Sequence, residues 1–149
     1  MPDRILNRKA AMGFVALLVL AAAANTGGAL ADEAAVAVDT TGLNPAGPDW
    51  LTENPYRADK AQYEVAITIG QSGYNQNCAR CHGLEVKSGG IAPDVRYLDE
   101  GKAGDAWFIN RVRTGFQLNG LTKMPKWEGV ISQEAMWAVR SYIETRPKD

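Results

Sequence analysis

The sequence predicts a small all-α domain with long loops, and three observations carry that expectation. Apolar residues recur at spacings of three and four in three separate stretches. No run alternates apolar and polar residues as a half-buried strand would. The segments between the periodic stretches are dense in Gly, Pro, Asn and Asp. Internal repeats and low-complexity tracts are absent from the 149 residues.

The first element is read as a targeting segment. Arg4, Arg8 and Lys9 make a positive start, Ala10 to Ala24 form an apolar run, and Ala29-Leu30-Ala31 is an A-x-A cleavage site. Residues 1–31 are therefore expected to be a signal peptide removed after Ala31, with the mature chain beginning at Asp32. The apolar run covers 15 residues, short of the about 20 that span a bilayer; an uncleaved anchor is the alternative. Cleavage leaves 13 Lys and Arg against 16 Asp and Glu, a net charge of −3. That mild acidity argues against nucleic acid as a partner.

Residues 32–60 read as an extended arm, punctuated by Gly42, Pro45, Gly47, Pro48 and Pro55. Trp50, Leu51 and Tyr56 are its candidate pins to the domain surface. A loosely docked leader and a partner-docking arm both fit this composition. The remaining residues, 61–149, form the domain proper.

Its first helix is expected over Ala61 to Asn77, where Tyr63, Ala66, Ile67, Gly70 and Tyr74 share helical spacing. Gly70 inside that run costs about 1 kcal/mol relative to Ala, and a close helix crossing is the usual compensation. Tyr142 is the expected cover. A middle helix is expected from Asp105, as N-cap, to Thr114, with Phe108 and Val112 as an apolar pair and Gly115 as its stop. In the last helix Ser132 is the N-cap, Glu134 favours the positive helix end, and Pro147 ends the run. Met136, Val139 and Ile143 line its inner side.

The chemistry concentrates in five residues. Cys78-Ala79-Arg80-Cys81-His82 holds the only two cysteines and the only histidine of the chain, and C-x-x-C-H is the attachment signature of c-type haem. Residues three and four apart on a helical turn are neighbours, so Cys78 shares a face with Cys81 and His82. A thioredoxin-type dithiol would be expected beside a βαβ pattern, which is missing. A structural zinc site needs four ligands, and the chain offers three. A plain disulfide leaves His82 unexplained.

An electron-transfer iron needs a second axial ligand. With one histidine, bis-histidine ligation is excluded within the chain. Met1 and Met12 fall in the targeting segment, and Met136 suits the core of the last helix. Met124 remains, with Pro125 stiffening the chain after it; a thioether favours Fe(II). A carbonyl of the Ile91–Pro93 turn is a candidate acceptor for the His82 Nδ1–H. Arg96 suits either a haem propionate or a solvated surface position. Trp107 and Trp127 fit the haem edge or ordinary core packing.

Gly70-x-x-x-Tyr74, Cys78–Gly83, the Pro93 turn, Lys123-Met124-Pro125 and the Trp137–Ile143 helix together resemble class I cytochromes c, over residues 62 to 146. Ser88-Gly89-Gly90-Ile91-Ala92-Pro93-Asp94-Val95-Arg96-Tyr97 is similar to a stretch of the haem domains of quinohaemoprotein alcohol dehydrogenases. It is also similar to soluble cytochromes c that accept electrons from PQQ-dependent alcohol dehydrogenases. The resemblance implies the class I cytochrome c fold, three to four helices around one covalent haem c. It also implies that the Pro93 carbonyl serves His82 and that Arg96 meets a propionate. The function implied is that of a periplasmic single-electron carrier, not an enzyme. Its donor would be a quinoprotein alcohol dehydrogenase and its acceptor a downstream cytochrome or oxidase. Its complexes would be transient and the protein itself a monomer. The alternatives are a haem-bearing subunit of a larger membrane complex, or a five-coordinate ligand-binding or peroxidatic haem.

Overall fold

The backbone is built on helix α1 (Lys60–Asn77). The Asp59 carboxylate caps it, accepting from the N–H groups of Ala61 at 2.9 Å and Gln62 at 3.2 Å. The computed structural model describes residues 35–149; the expected signal segment lies outside the described residues. After α1 come a short helix α2 (Ala79–His82), helix α3 (Gly101–Thr114), strands β1 (Phe116–Leu118) and β2 (Leu121–Met124), and helix α4 (Gln133–Glu144).

Helices α1 and α4 form the centre of the fold. Ala66, Gly70, Gly73 and Tyr74 are the buried residues of α1, one stripe at helical spacing. The expected close crossing at Gly70 is present, but Tyr142 is not what covers it. A Cβ at Gly70 would lie 1.9 Å from the carbonyl oxygen of Ala138 and 3.0 Å from the Val139 nitrogen. The backbone of α4 itself occupies the space, because no ring fits between helices that close. Tyr142 instead pairs with Tyr74, ring centroids 5.6 Å apart.

Helix α4 begins where expected, with Ser132 Oγ accepting from the Ala135 N–H at 3.2 Å. It is buried on nearly every side, including Met136 and Trp137 at 0 % exposure. Helix α3 starts five residues earlier than the sequence suggests, with Glu100 as N-cap. Asp105 is not a cap. It lies inside the helix, fully buried, where Arg57 Nη2 and Arg140 Nε donate to it at 2.9 Å and the Asn54 N–H does so at 2.9 Å. Those donors satisfy a carboxylate that would otherwise seek its own helix N-terminus. Gly115, at φ 72°, stops α3 as expected.

The arm is fastened more firmly than a loose leader. Asn77 clamps both polar groups of the Val36 backbone, and Glu134 and Gln133 accept from the N–H groups of Ala46 and Leu51. Asn54 Nδ2 donates to Ser141 Oγ at 2.8 Å. Tyr56 is 2 % exposed, and Trp50 and Leu51 pack against the core. Turn-rich composition shows no periodicity, so this use of helix side chains to satisfy an irregular backbone was invisible in the sequence.

Candidate functional site

The C-x-x-C-H segment continues the C-terminal turn of α1. Cys78 N–H donates to Tyr74 O at 2.8 Å, and His82 N–H to Cys78 O at 3.0 Å. One helical turn thus carries both thiols and the imidazole, as their spacing requires. Gly83 ends it at φ 85°, and a Cβ there would sit 1.8 Å from Lys87 O, so only glycine fits. The Tyr74 hydroxyl donates to Gly83 O at 2.9 Å, tying this turn to the α1–α4 crossing. Burial, then the neighbouring Cys81, pushes the Cys78 thiol up to about 12.

His82 Nδ1 lies 2.9 Å from the carbonyl oxygen of Pro93. A carbonyl can only accept, so Nδ1 carries the proton and Nε2 keeps the lone pair that a metal needs. Pro93 is brought to His82 across 11 residues by a loop stiffened by Ser88, whose hydroxyl binds Ala92 O and accepts from the Gly90 N–H.

Met124 is the candidate second ligand. It ends β2, half-buried, opposite Phe116 in the ladder. The hairpin was not expected. Its strands are three and four residues long, too short to show alternation. Asn119 at φ 52° and Gly120 at φ 75° give the two-residue turn that right-twisted strands prefer, and that dipeptide was the available signal. Gly115 packs under Met124, since a Cβ there would meet Met124 O at 2.6 Å. Met136, by contrast, is buried within α4, the core role expected of it.

Arg96 is 7 % exposed, so it is not a solvated surface arginine. Its Nε donates to the Asp94 carboxylate at 3.1 Å and Nη2 at 2.8 Å, while Nη1 donates to Pro147 O at 2.9 Å and Asp149 Oδ2 at 3.0 Å. The bonds from Arg96 hold the Asp94 carboxyl down at about 2. Trp127 is half-buried, and its backbone N–H donates to Val112 O. Trp107 is 49 % exposed, with the Arg111 guanidinium 5.2 Å from its ring centroid; the same guanidinium lies 4.6 Å from that of Phe116.

The donor set fits a covalently held haem: two thiols and a metal-ready imidazole on one turn, and a thioether on a separate hairpin. Leu84, Ile91, Phe116 and Leu121 are exposed on the segments flanking these donors, apolar surface suited to a porphyrin's faces. Among the described residues no group of three or more His, Cys, Asp and Glu is arranged to hold a metal ion by itself.

Comparison with known proteins agrees with this site. Residues 65–143 match the family model described as cytochrome c oxidase, cbb3-type, subunit III. The chain is 54 % identical over 131 residues to cytochrome c550 of Pseudomonas aeruginosa, covering 87 % of this chain and 90 % of that protein. No solved structure matches it. The chain belongs to the class I c-type cytochromes: it is a monohaem electron-transfer protein carrying covalent haem c, and not an enzyme.

Proposed function

We propose that this cytochrome is exported to the periplasm, cleaved after Ala31, and carries single electrons from a PQQ-dependent alcohol dehydrogenase towards a downstream cytochrome or oxidase. The haem, when bound, supplies a one-electron Fe(III)/Fe(II) couple. Cys78 and Cys81 would anchor it, His82 and Met124 would bind its iron, and the Pro93 carbonyl would orient His82. The contact between His82 Nδ1 and Pro93 O carries the ligation reading, because it readies Nε2 for iron. With Met124 as second ligand the iron would have no position left for peroxide, which favours electron transfer over the peroxidatic alternative.

Arg96 was the expected partner of a propionate, but all three of its guanidinium nitrogens are engaged by Asp94, Pro147 and Asp149. Arg111 is the cation less engaged by hydrogen bonds. It stacks between Trp107 and Phe116, the cross-strand partner of Met124, and its bond to Gly115 O is long at 3.4 Å.

The Ser88–Tyr97 likeness supports the donor. Lys87, Lys123 and Lys126, on segments flanking the ligands, are exposed and form the surface that meets it. Stopped-flow reduction of the oxidised protein by a quinoprotein alcohol dehydrogenase of the same organism tests this. Rates should fall with salt, as the Debye length shrinks from about 30 Å at 0.01 M to about 10 Å at 0.1 M. No reduction at any ionic strength would remove this donor. The subunit alternative gains no anchor from the described residues, in which no helix is long and apolar enough to cross a membrane; the N-terminal residue of the purified protein separates the two.

A further inference from the structure

The loop that offers the Pro93 carbonyl has little packing of its own. Gly89, Gly90, Ile91 and Pro93 are exposed, Ile91 at 80 %. Ser88 fastens one end. At the other end, Asp94 accepts from the Arg96 N–H at 3.0 Å and from the Arg96 guanidinium through both carboxylate oxygens. The opposite side of the same guanidinium grips Pro147 O and Asp149 Oδ2, in the segment that follows α4. The Tyr97 hydroxyl donates to Asp149 O at 3.1 Å, and Lys87 lies 3.9 Å from the Asp149 carboxylate.

We propose that Arg96 is a positioning residue for the axial imidazole, stapling Asp94, and with it the Pro93 carbonyl, to the segment after α4. Helix α4 crosses α1, and α1 runs into the turn that bears His82. Both ends of the His82–Pro93 hydrogen bond are thus referred to one helix pair. A bond from Nδ1–H to a carbonyl increases the electron donation of the imidazole to iron. Strengthening that donation stabilises Fe(III). A buried forked guanidinium provides this precision, because its planar donors fix a carboxylate in two directions at once. Lysine keeps the charge and loses the fork.

This inference rests on ligation of iron by His82. Redox titration of the holoprotein, with NMR of the His82 Nδ1 proton, tests it in Arg96→Lys and in the milder Asp149→Asn. Arg96→Lys should raise the reduction potential and speed exchange of that proton with solvent, while the sulfur-to-iron band of Met124 is unchanged. Asp149→Asn should shift both in the same direction by less. A lowered melting temperature with the potential and the proton unmoved in both variants would overturn the staple alone. A wild-type spectrum lacking a nitrogen axial ligand would overturn the ligation reading, and the staple with it.

Discussion

Gly70→Ala probes the contact on which the fold turns. The added Cβ would lie 1.9 Å from Ala138 O and 2.4 Å from Ala138 C, and both are backbone atoms of a buried helix. Neither can rotate away, so α1 and α4 must part by about 1.5 Å to restore normal contact. A radial gap of about 0.5–1 Å forfeits a quarter to a half of each dispersion contact across the seam. Overpacking costs about 1–3 kcal/mol, occasionally more, and a backbone-on-backbone clash belongs at the top of that range. Helix propensity returns about 1 kcal/mol, leaving a net loss of about 2–3 kcal/mol. For a domain this size that is a fall in Tm of about 10 °C. The assay is thermal unfolding of the holoprotein followed by far-UV ellipticity. Gly73→Ala is the control. Its Cβ would meet only side-chain methyls, of Val38 at 3.2 Å and Val139 at 3.3 Å, which can yield, so its Tm should move by a few degrees at most. If Gly70→Ala leaves the Tm unchanged, or Gly73→Ala falls as far, the crossing does not constrain the fold as argued.

The other expected outcomes are these. Protein matured with haem should stain for haem on a denaturing gel, and acid–organic extraction that strips it would disprove thioether bonds at Cys78 and Cys81. Met124→Ala should lower the potential and abolish the long-wavelength sulfur-to-iron band. Met136→Ala, in the core, should keep the band and lose about 2–5 kcal/mol of stability in denaturant titration. Burial raises the Asp105 carboxyl, but Arg57, the Asn54 N–H and Arg140 outweigh it and hold it below its ordinary value. Its contribution is therefore present above about pH 4 and lost as the pH falls further. Asp105→Asn should destabilise the protein by about 3 kcal/mol at neutral pH and flatten the acid limb of the stability profile.

Covalent chemistry and local periodicity were legible in the sequence. Two thiols and an imidazole at fixed offsets on one turn leave few alternatives, and caps such as Ser132 or stops such as Gly115 act within a few residues. The proposal of Met124 as a ligand came by elimination among four methionines, which needs only the sequence order. The partners of charged groups were a different matter. Nothing within reach of Asp105 along the chain announces that Arg57, 48 residues before it, and Arg140, 35 after it, converge on its carboxylate. Arg96 likewise looked like a surface cation or a propionate partner until the segment after α4 was seen to close on it. The backbone of Ala138 against Gly70, and the positive φ of Glu85 and buried Val86, are also beyond local rules. Each depends on where two distant segments are brought by the packing of α1 on α4. Residue types and spacing determined what this protein carries; which groups hold that site in register is set by non-local contacts, and only the tertiary structure decides those.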